Sequence, residues 1–264
     1  MALACIAAVS GMVAVSAAPA SAVIIVPRNP ERGAEPIVAG TKVQVPGGSC
    51  TVGAVLSAKH LISRITQYQR ASRWIVLAKH CADLHATVQV GSAAVGTVVW
   101  RSAASDIEIA FIKPRSNSRA LWCAAHGSGA AGLCDPSALS YTPRAYGQVY
   151  SRVAGVISRA AVTGSGNPNG QRFCTSGWAS GLQCVWNAVS IPPSASLSYQ
   201  HLAAADADEL TNLEPGDSGG PVLSYSNRLL GIISSRFTGT TVMLYTPMSQ
   251  VLHELSSYQL APAN

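Results

Sequence analysis

The stretch GDSGGPV at residues 216–222 is the most informative part of this 264-residue chain. It places a serine, whose hydroxyl can act as a nucleophile, inside a run of glycines. Such a serine needs a general base beside it and hydrogen-bond donors aimed at the oxyanion of the transition state. Because Gly216 has no Cβ, it can adopt the turn that points its own N–H and that of Ser218 at one spot. The stretch therefore predicts Ser218 as a nucleophile, with Gly216 and Ser218 as an oxyanion hole.

These residues resemble the Gly-Asp-Ser-Gly-Gly-Pro motif of the chymotrypsin and trypsin-like serine proteases. The preceding Glu214-Pro215 is similar to the bacterial, streptogrisin-type branch, and Gly231-Ile232-Ile233-Ser234 resembles the strand that binds the substrate backbone in this family. The resemblance extends from Ile37 to the C-terminus. It implies an all-β fold of two six-stranded antiparallel β-barrels with a short C-terminal helix and the active site between the barrels. Short runs rich in Val, Ile and Thr, separated by turn residues, independently indicate an all-β fold.

The same glycines also satisfy the G-x-S-x-G pattern of the α/β-hydrolases. That fold requires the order serine, acid, histidine along the chain. After Ser218 only His253 and Glu254 remain, and they are adjacent and in the reverse order. The protease order of histidine, acid and serine has a candidate for each position.

Two segments end in Ala-Lys-His, at His60 and at His80. The run WIVLA at residues 74–78 predicts a buried strand that delivers His80, and Cys81 follows it. This segment is similar to the Thr-Ala-Gly-His-Cys of the family, except that Lys79 replaces the glycine. His60 leads into a charged, turn-like stretch, so we predict His80 as the general base.

The acid that would orient His80 is predicted from the run DIEIAFIK at residues 106–113. The family pattern has an acid followed by a branched or aromatic residue, a small residue, two large apolar residues and a basic or polar one. Glu108 fits this register at every position, whereas residue type favours Asp106, because aspartate is the usual choice of the family. We predict Glu108 as the acid, with Asp106 as the alternative. Either would hold the imidazole tautomer and stabilise the imidazolium.

The substrate-binding residues are predicted from the resemblance alone. The floor of the pocket lies six residues before the nucleophile in the family, which corresponds to Asn212, and Ser235 and Arg236 correspond to its wall. Ser234 belongs to the strand that binds the substrate backbone. Since Asn212 is not an aspartate, cleavage after Lys or Arg is not indicated. Arg236 has two alternatives: it attracts acidic side chains, or it obstructs the cleft.

Seven cysteines are present, and six remain if Cys5 is removed with a signal peptide. An even set in an exported protein predicts disulfides. Proximity along the chain pairs Cys123 with Cys134 and Cys174 with Cys184. The remaining pair, Cys50 with Cys81, matches a bridge of the family. The stretch 164–181, rich in Gly, Asn and Ser, is predicted to be a long surface loop.

The N-terminal region predicts three segments. Residues 1–22 are apolar and end in Ala-Ser-Ala, which favours a signal peptide and a secreted protein over a membrane anchor. Residues 23–36 are interpreted as a short pro-segment or linker, and residues 37–264 as the protease domain. Residues 37–40 (Ile-Val-Ala-Gly) resemble the Ile-Val-Gly-Gly that opens mature domains of the family, but Pro36 is a poor site for activating cleavage. The resemblance to bacterial members therefore implies that an internal arginine, such as Arg144 or Arg152, pairs with Asp217.

The composition limits the function further. The net charge is +6, but its 18 Lys and Arg residues are scattered, so nucleic-acid binding is not indicated. No C-x-x-C or H-x-x-x-H spacing predicts a metal site, and no cofactor is expected. The prediction is a monomeric serine endopeptidase that acts on protein or peptide substrates. The rival hypothesis is a binding protein that keeps the protease fold without its activity.

Overall fold

The computed structural model describes residues 30–117, 140–193, 195, 197–208, 213–237 and 239–264. The predicted signal peptide, Asn212 and the predicted Cys123–Cys134 pair lie outside these residues. Among the described residues, no helix is both long enough and apolar enough to cross a membrane.

The described chain is mostly β-structure. Its N-terminal strands are β1 (Ile37–Ala39), β2 (Lys42–Val45), β3 (Gly48–Thr51), β4 (Ala54–Ala58), β5 (Arg73–Leu77), β6 (Thr87–Val90), β7 (Ala93–Arg101), β8 (Glu108–Ile112) and β9 (Arg115–Asn117). The later strands are β10 (Ser140–Thr142), β11 (Ala145–Val153), β12 (Val156–Ala161), β13 (Gly164–Ser165), β14 (Phe173–Gly177), β15 (Gly181–Val189), β16 (Ala203–Ala207), β17 (Pro221–Leu223), β18 (Arg228–Arg236), β19 (Val242–Pro247) and β20 (Tyr258–Leu260). The helices are α1 (Gln67–Ala71), α2 (Met248–Glu254) and the 3₁₀ helices Pro30–Gly33, Leu61–Arg64 and Lys79–Cys81.

The N-terminal half forms a curled sheet of eight strands in the order β20-β4-β5-β8-β7-β6-β2-β3. The outer strand β6 alternates, with exposed Thr87 and Gln89 next to buried Val88 and Val90, whereas the central strands β4, β5 and β8 are buried almost throughout. The inward side chains form one apolar core that includes Ile75 and Leu77 of β5. This core holds the C-terminal end of β5, from which the His80 segment starts.

The C-terminal half forms a second sheet in the order β13-β18-β17-β14-β15-β16-β19. Pairing of β18 with β19 closes a ring of six strands. Two further groups complete the fold, the sheet β1-β11-β12 and the pair β9-β10. The architecture is the all-β, chymotrypsin-like one that the sequence predicts, with α2 near the C-terminus.

The prediction of a surface loop over residues 164–181 is wrong for residues 173–177. Residues 173–177 form β14, which is buried along its whole length and lies between β17 and β15. Small residues are needed here because the neighbours approach closely. A Cβ on Gly177 would stand 2.0 Å from Asp217 Oδ1. Glycine and serine therefore reflect close packing in this strand, not a solvent-exposed turn.

Candidate active site

Ser218 lies in the loop before β17, between two glycines with left-handed backbone conformations. The φ angles are +107° at Gly216 and +84° at Gly219. A Cβ on Gly216 would stand 2.5 Å from Trp178 Nε1, and one on Gly219 would stand 2.5 Å from the carbonyl oxygen of Thr51. Both positions thus require glycine, for conformation and for space.

The backbone N–H groups of this loop fall into two sets. Three of them donate within the protein: Asp217 to the Glu214 carbonyl, Gly219 to Ile233 and Gly220 to Asp217, at 3.0, 2.8 and 2.9 Å. By contrast, the N–H groups of Gly216 and Ser218 donate to no acceptor within the described part of the chain. Two unused donors beside a serine hydroxyl are an arrangement that can receive an oxyanion.

Thr51, at the end of β3, connects this loop to the N-terminal sheet. Its N–H donates to the Ser218 carbonyl at 2.9 Å, and its hydroxyl donates to the Gly216 carbonyl at 2.8 Å. The same hydroxyl accepts a hydrogen bond of 3.1 Å from the N–H of Trp178. Thr51 is fully buried, so these bonds are shielded from water. It therefore fixes both carbonyls that flank Asp217.

The Asp217 side chain is buried and held by backbone amides. Oδ1 accepts from the N–H groups of Ala179 (2.9 Å) and Ser180 (3.0 Å), and Oδ2 accepts from that of Glu214 (2.9 Å). Three charge-assisted bonds compensate for the lost hydration of a buried carboxylate. The turn between β14 and β15 and the nucleophile loop are thereby joined through one side chain.

The disulfide Cys50–Cys81 links the neighbour of Thr51 to the neighbour of His80. The second disulfide, Cys174–Cys184, joins β14 to β15. Both pairings predicted from the sequence are confirmed.

His80 lies in the 3₁₀ helix after β5, with 38% of its side chain exposed. Its ring Nδ1 donates to the Asp106 carboxylate, at 2.9 Å from Oδ2 and 3.1 Å from Oδ1, and its backbone N–H donates to Oδ1 at 3.2 Å. The Ser234 hydroxyl donates to Oδ2 at 2.6 Å. His60, by contrast, is exposed in the connection between β4 and α1. In the described chain, no hydrogen bond joins the His80 ring to the Ser218 hydroxyl.

The sequence register predicts Glu108 as the partner of His80, but in the structure Asp106 contacts the His80 ring. Glu108 is the first residue of β8 and pairs with Leu77 and Arg101 of the neighbouring strands. Asp106 lies in the loop before β8, where side chains need not alternate between two faces as they do in a strand. Its side chain therefore points towards His80. Matching the run to a strand pattern therefore selects a carboxyl two residues beyond the one that contacts His80.

Glu108 is completely buried, and within the described residues its carboxyl oxygens accept no hydrogen bond of good geometry, although the Ala82 backbone N–H acts to lower its pKa. Arg101 Nε lies 3.4 Å from its Oε2. Burial raises the pKa of Glu108 to about 9, against the opposing effect of Arg101 and with a further contribution from the charge of Asp106. An uncharged Glu108 at neutral pH is the consequence.

A small pocket of about 190 Å³ adjoins Ser218. Ser234, Ser235 and Arg236 line it, together with Leu213, Glu214 and Pro215. Ser235 and Arg236 are exposed, while Ser234 is buried and bonded to Asp106. The structure thus places the three described residues of the predicted substrate-binding set at one pocket.

The arginines proposed to pair with Asp217 lie elsewhere. Arg144 Nη1 is 2.5 Å from Glu35 Oε1, and Arg152 is exposed at the end of β11. Arg32, which the sequence places in the pro-segment or linker, is 2% exposed and donates to β14. Sequence reasoning missed Thr51 and Arg32, since neither belongs to a local pattern; only folding brings them to the site.

Comparison with known proteins identifies the family. The trypsin family model matches residues 24–253. The structure is similar to Thermobifida fusca protease A (TM-score 0.54, 19% identity), covering 86% of this chain and 98% of that one. Nocardiopsis protease (TM-score 0.52, 20% identity) and Cellulomonas bogoriensis chymotrypsin (TM-score 0.51, 19% identity) each cover 85% of this chain, and 98% and 97% of their own. No curated protein matches the sequence at a significant level. With a family match over most of its length and this fold, the chain belongs to the trypsin family and resembles its bacterial, streptogrisin-type branch.

Proposed function

We propose that this protein is a secreted serine endopeptidase with Ser218 as nucleophile, His80 as general base and Asp106 as the acid that orients His80. One observation supports this proposal most directly. The His80 ring donates a hydrogen bond to a fully buried aspartate, Asp106. The disulfide from Cys81, next to His80, reaches Cys50, and the adjacent Thr51 binds the Ser218 loop, which has two unused N–H donors.

The geometry supports acyl transfer in two balanced steps. Ser218 Oγ bonds to the carbonyl carbon of the peptide while His80 Nε2 takes the hydroxyl proton, and the carbonyl oxygen becomes an oxyanion held by the N–H groups of Gly216 and Ser218. When this intermediate collapses, the C–N bond breaks and His80 returns the proton to the leaving amine. In the second step His80 takes a proton from water, and the water oxygen bonds to the carbonyl carbon of the acyl-enzyme. The ester bond to Ser218 then breaks, His80 returns the proton to Ser218 Oγ, and the carboxylic acid product leaves.

The Asp106 carboxylate performs two tasks in this scheme. Its bond to Nδ1 keeps the proton on that nitrogen, so Nε2 is free to act as a base. Its negative charge stabilises the imidazolium that forms during attack. The Ser234 hydroxyl and the backbone N–H of His80 hold the carboxylate in place for both tasks.

The pocket supports a proposal on selectivity. Arg236 is its only described basic lining residue, and it is exposed at the rim. We expect it to favour substrates with Asp or Glu before the scissile bond. Exposed ion pairs contribute roughly 0.2–1 kcal/mol, so the preference should be no more than about fivefold. Digestion of a peptide library with the wild-type protein and Arg236→Ala measures it.

Secretion is supported by the two disulfides, which persist in oxidising compartments, and by the apolar residues 1–22. We also propose that the protein acts on protein or peptide substrates as a monomer.

An activity-based fluorophosphonate probe tests the enzyme against the rival binding protein. We expect labelling at Ser218, identified by mass spectrometry of the digested protein, and its loss in Ser218→Ala. His80→Ala and His60→Ala form a matched pair, since both histidines follow Ala-Lys in the sequence. Labelling should be lost only in His80→Ala. Folded wild-type protein that remains unlabelled would support the binding protein.

A further inference from the structure

Arg32 is among the largest fully buried side chains of the protein, although it precedes the first strand. Its Nη1 donates to the carbonyls of Gly177 at 2.9 Å, Gly40 at 3.2 Å and Ser176 at 3.3 Å, and its Nη2 donates to the Ser176 hydroxyl at 3.0 Å. The guanidinium also lies over the Tyr150 ring, 4.8 Å from its centroid. These charge-assisted hydrogen bonds hold the buried guanidinium in one position in the folded domain.

The acceptors of Arg32 lead directly to the nucleophile loop. Gly177 ends β14, and the next three residues form the turn that donates two backbone N–H groups to Asp217. Arg32 thus holds one side of this turn, and Asp217 holds the other. Burial lowers the pKa of Arg32 to about 10, and Tyr150 and the charge of Asp217 oppose that shift.

Trp178, the first residue of the turn, extends the same chain of contacts. Its backbone N–H donates to the Thr51 hydroxyl, and its indole Nε1 would be only 2.5 Å from a Cβ on Gly216. Lys42 Nζ lies 3.8 Å from the centroid of the indole ring. A shift of this turn would therefore move the backbone of Gly216, one of the two proposed oxyanion donors.

The segment that presents Arg32 is attached to the domain along its length. The Tyr150 hydroxyl donates to the Glu31 carbonyl at 2.8 Å. Glu35 binds both Arg144 and Arg115, and the Ile37 N–H donates to the Arg144 carbonyl at 2.8 Å. Residues 31–36 therefore form part of the folded domain.

We propose that Arg32 is a positioning residue for the oxyanion hole, and that residues 30–36 remain attached in the active protein. Arg32 fixes the turn after β14, the turn fixes Asp217 and Trp178, and these two fix the backbone of Gly216 and Ser218. Cleavage before Ile37 would remove the guanidinium and disorder the hole, so it would inactivate the protein. This inference rests on the proposed function, because it concerns the same oxyanion hole.

The first test compares Arg32→Ala with Arg32→Lys, and with Arg152→Ala as a matched control on an exposed arginine. We expect Arg32→Ala to lower kcat about 100-fold with KM changed less than about threefold, since a small displacement of catalytic groups costs that much. Arg32→Lys should recover part of the loss, and millimolar guanidinium should restore part of it to Arg32→Ala. Thermal unfolding monitors the fold of each variant. Unchanged kcat in a folded Arg32→Ala, or a change in KM alone, would overturn the inference.

The second test needs no variant and applies even if Arg32→Ala fails to fold. The mass and N-terminal sequence of the probe-labelled wild-type protein give the start of the active form. We expect a start at or before residue 30. Labelled protein that begins at Ile37 would overturn the inference but keep the proposed enzyme. A wild-type protein without any labelling would instead contradict the proposed function.

Discussion

Asp106 and Glu108 lie two residues apart, and both have zero exposure, but their surroundings differ. In the loop before β8, Asp106 accepts hydrogen bonds from the His80 ring, the His80 backbone and the Ser234 hydroxyl. At the start of β8, Glu108 accepts no hydrogen bond of good geometry within the described residues, and the Arg101 charge and the Ala82 backbone N–H offset its burial only in part.

The difference shows that burial alone does not give a carboxyl group a function. A buried carboxylate keeps its charge when donors replace the lost water, and a carboxyl without them becomes neutral. Asp217 resembles Asp106 in its surroundings, since three backbone amides bind it. A charge is what the imidazolium of His80 requires, so the comparison favours Asp106 over Glu108 as its partner.

Asp106→Asn tests this comparison with the largest expected effect. The amide cannot hold the His80 proton on Nδ1, and we expect kcat to fall by about 10⁴-fold. Glu108→Gln, the matched change two residues away, should leave kcat within about threefold. Steady-state hydrolysis of a peptide substrate measures both. The reverse ranking would assign the role to Glu108.

Ser234→Ala sharpens the comparison by removing one donor from Asp106. A hydrogen bond to a charged group contributes about 1.5–3 kcal/mol, and we expect kcat to fall by about tenfold as the carboxylate becomes less well held. Ser63→Ala is the control, because that serine is exposed in the connection between β4 and α1 and does not line the pocket. Equal kcat values for the two variants would show that the Ser234 bond does not support Asp106.

The stability of Glu108→Gln should reveal the neutral carboxyl of the wild type. Between about pH 4.5 and about pH 9, the carboxyl group of Glu108 stays protonated in the folded state and is ionised in the unfolded chain. The free energy of unfolding therefore falls as pH rises through this window, by at most about 1.4 kcal/mol per pH unit from this group. Thermal unfolding at several pH values should show a smaller fall for Glu108→Gln.

The exposed Glu214→Gln is the control for the loss of a carboxyl group. If Glu108→Gln shows the same dependence of Tm on pH as the wild type, Glu108 is ionised in the folded protein, and the contrast with Asp106 disappears.

Arg101→Met has the smallest expected effect on activity. Arg101 Nη2 donates to the Lys79 carbonyl at 2.8 Å, so its loss removes one support of the His80 segment. We expect a decrease of about fivefold or less in kcat, because a single hydrogen bond contributes about 1 kcal/mol. A loss above about 100-fold would show that Arg101 and Glu108 position His80 and would merge the two regions into one site.

Much of the fold and part of the site could be predicted from local patterns. The all-β architecture follows from short apolar runs, and the pairs Cys50–Cys81 and Cys174–Cys184 follow from spacing and family resemblance. The choice of His80 over His60 rests on the apolar strand before it, and the structure places His80 beside a buried acid and leaves His60 exposed. The register at Asp106 and Glu108 could not be predicted, since the acid lies outside the strand whose pattern was used.

Ser218 and its glycines are determined by the sequence itself, because a nucleophile in a tight turn needs these residue types whatever surrounds them. Which carboxyl binds His80 and which arginine supports the Asp217 turn were decided only by the tertiary structure. These roles depend on donors and acceptors brought together from distant parts of the chain, as Arg32 and Gly177 are. A hydrogen bond over such a separation leaves no periodic pattern in the sequence; it exists only once the two β-sheets have packed together.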